Sequence, residues 1–335
     1  MVSGSNPLEA YETMIDASFN GWRSFTRTLT LATPLTLTGL AAAVSFRMRI
    51  WNIGAEGQLY MGAIAASGLA VALPADTPKF LMLLAVLVAG ALAGAVWAGF
   101  AAIPKAYFNT DEVITTLMLT FIALSFMNYL IFGSVSFWRD PDATFPVGKV
   151  IPESAELPLV SYRLHYGVFI ALAAAVILWW VLRRTTWGFE LRTIGDSPSA
   201  SRYAGMRVKK KIIAVLGLSG ALAGLAGAIE VSGVHKTLDP RALAVELGFT
   251  GIVVAAVARF NPLAVVPVAV LLAGVVTSGS SLQRIGVDSE VVFFLQGLIF
   301  LFVAAGEFFI SNKVTISKKV ATSGEPSRAQ TAGGA

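Results

Sequence analysis

The sequence predicts an all-α integral membrane protein, a polytopic helical bundle of eight to nine membrane segments. Three observations carry that expectation. Hydrophobic residues make up 56% of the 335-residue chain and charged residues 13%, with a mean hydropathy of +0.71. A soluble domain cannot cover its surface with so few charges. The apolar residues also gather in runs of roughly 17 to 25, the length a helix needs to cross a hydrocarbon core about 30 Å thick. Finally, the 25 Lys and Arg residues fall between those runs rather than along one soluble face.

Taken in order, Leu8 to Arg27 reads as an amphipathic, surface-lying helix, so residues 1–27 form an N-terminal segment ahead of a transmembrane domain over 28–310. The opening residues lack the basic start and apolar core of a cleavable signal. Thr28 to Phe46 is the first span, stopped by Arg47 and Arg49. Ile50 to Gln58 (IWNIGAEGQ) opens the second, Leu59 to Leu73. Phe80 to Ile103 is the third, ending at Pro104 and Lys105. Asp111 and Glu112 stand at the start of the fourth, Val113 to Phe132, where acids favour the positive end of the helix dipole.

Gly133 to Leu164 is a polar loop bearing Pro141, Pro146, Pro152 and Pro158. Tyr166 to Leu182 and Ile212 to Ile229 are the fifth and sixth spans. Glu230 to Leu247 is a polar excursion, followed by Gly248 to Ala258, an apolar run too short to cross. The turn at Arg259–Pro262 leads into Leu263 to Thr277. Val291 to Ile310 is the last span, and 311–335 is expected to be a disordered cytoplasmic tail. Gly90 with Gly94, and Gly220 with Gly224, have the small-residue spacing that lets helix backbones approach, and plain contacts inside the bundle are the expected use.

Between the fifth and sixth spans lies Gly188 to Gly205, GFELRTIGDSPSASRYAG, which membrane burial does not explain. Ser197 suits a helix N-cap, Pro198 the first turn and Gly205 the close. Basic residues flank it on both sides: Arg183 and Arg184 before, Arg207 and Lys209 to Lys211 after. Placing this loop in the cytoplasm puts most of the 25 basic residues on that side, as the positive-inside rule requires. The segment therefore reads as a short preformed helix outside the bilayer on the cytoplasmic side.

Several chemistries are missing. Cysteine is absent, which removes disulfides, thiolate metal sites and a cysteine nucleophile. The two histidines, His165 and His235, stand alone, without the spacing of a metal site. No glycine-rich loop ends in Gly-Lys-Ser/Thr, and no serine sits in GxSxG. The chain is thus expected to be neither an enzyme nor a nucleotide binder, and to hold no metal or cofactor of its own. Polar residues in or beside the spans carry more weight, because a charge at bilayer depth is costly. Asn52, Glu56, Gln58, Asn128, Glu230, Glu246 and Gln296, with Phe249 at the head of the short run, form the candidate substrate path. The short run itself fits a broken helix beside such a path.

The segment FRMRIWNIGAEGQLYMGA resembles the NIGAEGQ stretch of permease subunits of bacterial ABC importers, most closely the nucleoside-type branch served by basic-membrane-lipoprotein binding proteins. Asp111 to Leu130 is similar to that branch's NEVISTIMLN…NYL stretch. Gly188 to Gly205 matches its G…RxxGxxPxAxRYAG loop, and Leu218 to Gly233 its next helix. The likeness covers roughly Asn6 to Ala305. Thr120 stands where the family usually has Asn, and Glu246 to Phe249 replace a GYGF-like run. Members usually carry one more span before NPLEAY, so a further span is expected upstream of Met1.

The resemblance implies the ABC importer permease fold and a place in the bacterial plasma membrane. Two permease subunits would form the pore, two cytoplasmic ATPases would use ATP, and an external lipoprotein would deliver a nucleoside. It assigns Gly195, Asp196, Ser197, Pro198, Ser201, Arg202, Tyr203, Ala204 and Gly205 to coupling with the ATPase. The alternatives are a permease for sugars or branched-chain amino acids and, from another class, an ion-coupled secondary transporter. The latter predicts paired charges within spans, and the sequence offers lone acids instead.

Overall fold

The structure is a computed structural model, and it describes residues 7–284 together with 294, 297–298, 301–302 and 305–306. The expected last span, Val291 to Ile310, with Gln296, and the expected tail therefore fall largely or wholly outside the described residues. Among the described residues, the regular elements are helices apart from one small antiparallel hairpin of β1 (Leu159–Ser161) and β2 (Leu164–His165).

Among the described residues, seven helical segments are long and apolar enough to cross a membrane. Their helices are α2 (Trp22–Phe46), α4 (Lys79–Phe108), α5 (Glu112–Asn128), α6 (Gly167–Arg184), α9 (Val208–Ile229), α10 with α11 (Pro240–Leu243 and Leu247–Val257) and α12 (Pro262–Arg284). The expected second span is α3 (Ala55–Ala72), which carries Glu56 and Gln58 in its first turn and is not among the seven. The seven are slightly fewer than the eight to nine expected, and the expected last span lies largely outside the described residues.

Burial separates centre from rim. The span of α2 is 83% buried and that of α9 61%, whereas α4 and α6 bury only 22% and 28% and turn large apolar side chains outward. Packing follows small residues. A methyl group on Gly94 would collide with the carbonyl of Gly220, one on Gly224 with that of Gly90, and one on Gly62 with that of Gly224. Helices α3, α4 and α9 thus meet backbone to backbone, the internal use expected of the glycine pairs.

The first span begins earlier than the apolar run suggested. Gly21, at φ 87°, separates α1 (Pro7–Phe19) from α2, and α2 starts at Trp22 rather than Thr28. Its early threonines are paired: Thr28 donates to the Ser18 carbonyl at 2.9 Å, and Thr30 to the Arg163 carbonyl at 3.1 Å. Likewise α4 carries Pro104 inside its last turns and ends at Phe108 on left-handed Asn109. Asp111 caps α5, accepting from the amides of Val113 at 2.8 Å and Ile114 at 3.1 Å.

The loop between α5 and α6 is stitched to the end of the bundle remote from the basic loop. Trp138 Nε1 donates to the Ile64 carbonyl at 2.9 Å, and the Leu157 amide to that of Ser232 at 2.9 Å. Lys236 pairs with Glu156. The polar excursion after α9 continues the helix as one wide turn, Glu230–His235, before α10.

Candidate functional site

The stretch expected to lie outside the membrane forms two short helices, α7 (Thr186–Asp196) and α8 (Pro198–Tyr203). Ser197 is the hinge between them. Its hydroxyl accepts from the Ala200 amide at 3.3 Å, Pro198 occupies the first turn, and Gly205 at φ 81° turns the chain away. That positive φ suits glycine, which lacks the Cβ that makes it costly. Ser201 is buried and bonds back to the Ser197 carbonyl at 2.9 Å, so it holds the helix rather than presenting a surface. Arg202, Tyr203, Ala204 and Gly205 are exposed, and Tyr203 is 95% exposed. The Tyr203 ring thus stands open to water on a helix that is already capped.

Helix α7 ties this tip to the bundle. Gly195 lies against the Arg47–Met48 backbone, where an added Cβ would sit 3.1 Å from the Met48 carbonyl carbon. Asp196 pairs with Arg49 at 2.8 Å. Lys211, at the start of α9, pairs with Glu190 of α7.

From Arg49 the chain re-enters the bundle. Asn52 and Gln58 clasp each other: Asn52 Nδ2 donates to Gln58 Oε1 at 2.9 Å, and Gln58 Nε2 donates to Asn52 Oδ1 at 3.0 Å. Asn52 Nδ2 also donates to Ser219 Oγ at 2.8 Å, and Ser219 donates in turn to the Ala41 carbonyl at 2.6 Å. All three side chains are buried. The two amides answer one another, and with Ser219 they tie α2, α3 and α9 together.

Glu56 is 1% exposed and serves a different purpose. It accepts from Tyr60 Oη at 2.6 Å and from the Gly248 amide, with the Phe249 amide also directed at it. These amides open α11, whose own N-cap, Glu246 at φ 59°, supplies no side-chain bond. A carboxylate from another helix therefore caps a broken helix and meets its positive end. Since α11 has 11 residues and rises about 16 Å from the Arg259 turn, this contact lies near the middle of the bilayer.

Of the remaining path residues, Glu246 and Phe249 stand at the head of α11 beside Glu56, while Asn128 and Glu230 lie on other elements. Asn128 is half-buried where α5 passes into a wide turn, Glu246 is exposed, and Phe249 is partly buried in the first turn of α11. Glu230 is buried at the opposite end of the bundle from α8, 3.2 Å from His235 Nε2. It lines an outer cavity of about 520 Å³ with Arg27, Arg163, Lys236, Tyr162 and Thr30. Beside it the His165 ring is packed between Gly167 and Gly233, with Nδ1 accepting from the Gly167 amide at 3.2 Å. Burial holds the His165 pKa below its ordinary value, against the pull of Glu230. Thr120 is buried against the backbone of Gly57, which fixes how closely α3 and α5 approach.

Sequence reasoning missed Tyr60, Ser219 and the basic residues of the outer cavity. Tyr60 follows Glu56 by one helical turn, a spacing that was visible. The Ser219 and Gly248 contacts join residues 167 and 192 positions apart, which no local pattern reveals.

A multi-pass bundle with a broken helix capped at mid-membrane and an exposed capped helix between two spans defines a membrane permease. The chain belongs to the branched-chain amino acid transport system / permease component family, whose model matches residues 24–304. It is 38% identical to the guanosine ABC transporter permease of Bacillus subtilis (strain 168), over 91% of this chain and 88% of that protein. It is 32% identical to a glucose ABC transporter permease of Haloferax volcanii, over 93% and 84%. The identity to the nucleoside ABC transporter permease of Lactococcus lactis subsp. cremoris is 31%, over 96% and 89%. The chain is a permease subunit of an ABC importer, a multi-pass protein of the bacterial plasma membrane.

Proposed function

We propose that this chain imports nucleosides, with a second permease subunit completing the pore, cytoplasmic ATPases using ATP, and an external lipoprotein delivering the cargo. The observation that carries the coupling role is Tyr203, an exposed ring on a rigid, capped helix beside Arg202. The names of the guanosine and nucleoside relatives support the substrate class. No nucleotide-binding motif appears in the chain, so ATP is the partner's ligand.

A push on α8 has a short way to travel. Gly195 and Asp196 rest on the Arg47–Arg49 turn, which leads directly to Asn52 and then Glu56. Glu56 holds the free end of α11, so a shift of the turn bears on the broken helix at mid-membrane. Glu230 and the outer cavity serve as the entrance, Glu56 and Phe249 as the gate, with Asn128 and Glu246 along the route. Substrate contacts are permissive, because the external protein selects.

A sugar substrate is the second reading, favoured by the glucose relative. Uptake of radiolabelled guanosine, glucose and leucine by cells with and without the gene decides. Loss of guanosine uptake alone is expected; loss of glucose or leucine uptake with guanosine intact would move the assignment.

A further inference from the structure

On the face that carries α7 and α8, four arginines open onto one cavity of about 710 Å³: Arg47, Arg183, Arg192 and Arg259. The rest of its lining is different in kind. Leu182 of α6 and Ala264, Pro267 and Val268 of α12 make an apolar wall, with Trp179 beside them. The Arg183 guanidinium lies 5.8 Å from the centre of the Trp179 ring, an aromatic at the height where membrane proteins meet headgroups. Arg47 and Arg192 also line a second cavity of about 530 Å³ on the other side of the same turn.

No acid is among this cavity's lining residues, and Asp196, which shares the second cavity with Arg47 and Arg192, pairs with Arg49. Arg47 Nε is buried and has no hydrogen-bond partner among the described residues. Burial and the like charge of Arg192 both press its pKa below the ordinary value. A buried guanidinium nitrogen left unbonded beside another positive charge is costly unless an anion joins it. The cavity is two-toned, with bidentate donors at its mouth and hydrocarbon along a groove between two spans. A free phosphate would satisfy only the first half. An acidic protein side chain would leave the groove between α6 and α12 empty. An anionic phospholipid matches both.

We infer that the groove between α6 and α12, closed at its mouth by Arg47, Arg183 and Arg192, is a binding site for an anionic phospholipid of the inner leaflet. The phosphate sits among the guanidiniums, and an acyl chain runs along Leu182, Ala264 and Val268 past Trp179. Basic pockets between spans on the cytoplasmic side are where such headgroups are held. Because Arg47 belongs to the turn on which Gly195 rests, the lipid bears on the connection between α8 and the bundle.

The full chain in phosphatidylcholine nanodiscs tests this with acyl-brominated lipids, which quench nearby tryptophan. The signal of Trp179 is the difference between the wild type and Trp179→Phe. At equal mole fraction, brominated phosphatidylglycerol should quench Trp179 with about fivefold preference over brominated phosphatidylcholine. Arg47→Gln with Arg192→Gln should bring the two near parity, and Arg192→Lys should keep most of the preference. Equal quenching of the wild type by both lipids would overturn the inference, and that comparison needs no arginine variant to fold. Preference surviving the double change would overturn it too. Loss of quenching on adding inorganic phosphate would make this a free-anion site instead. Loss on adding the partner ATPase would assign the arginines to the protein interface.

Discussion

Two stretches distinguish this chain from an ordinary helical bundle, and they use polar residues in opposite ways. In Asn52–Gln58 every polar side chain has its partner inside the protein: Asn52 with Gln58 and Ser219, Glu56 with Tyr60 and the first turn of α11. In Ser197–Gly205 the polar groups that are satisfied, on Ser197 and Ser201, only shape the helix, while Arg202 and Tyr203 are exposed. The first stretch has completed its bonding and so fixes structure. The second ends in an exposed charge and an exposed ring, and so looks outward. A motif that is recognisable in sequence can thus mark a joint or a surface, and only the partners of its side chains tell which.

Breaking the joint should cost most. Glu56→Leu removes the acceptor of the α11 amides and of the Tyr60 hydroxyl, and each group left unbonded in the interior costs about 1–3 kcal/mol. Little folded protein should survive extraction, as fluorescence-detected size-exclusion chromatography would report. Glu56→Gln keeps one acceptor oxygen and should lose less. Asn52→Leu strands the Gln58 amide, and its cost should be about 0.6–2 kcal/mol, the range for hydrogen bonds between membrane helices. A drop in melting temperature in detergent would show it, and an unchanged value would refute the lock.

The outer end offers a milder effect. His165 titrates below its ordinary pKa because it is buried. A histidine near pKa 6.5 when unfolded then takes up its proton more readily unfolded than folded, so stability is full above about pH 6.5 and falls as pH drops below it. Melting temperature measured from pH 7.5 to 5.5 should decline, and His165→Gln should flatten that decline. Smaller still is Asp196→Ala. Its partner Arg49 is as exposed as it is, with side chains 71% and 69% accessible, so the loss should stay under about 1 kcal/mol.

How far the sequence carries the fold depends on what enforces each feature. The spans were legible because the bilayer dictates their length, and α8 because Ser197, Pro198 and Gly205 specify a short helix locally. The start of α2 was misread by six residues, since Thr26, Thr28 and Thr30 look polar in a window but are buried and bonded. The polar residues were read as one lining, and they divide instead among a lock, a helix cap and an outer cavity. That division rests on contacts between distant positions such as Glu56 with Gly248, which periodicity does not encode.

The central claim is that α8 is a finished helix whose exposed side chains serve the ATPase and not the fold. Tyr203→Ala, 95% exposed in the wild type, tests it when stability and association are measured on the same preparation. The melting temperature should be unchanged, while co-purification of the ATPase should weaken by about 30-fold, as for a hot-spot residue worth about 2 kcal/mol. Full ATPase recovery with the variant, or a melting temperature that falls with it, would contradict the account.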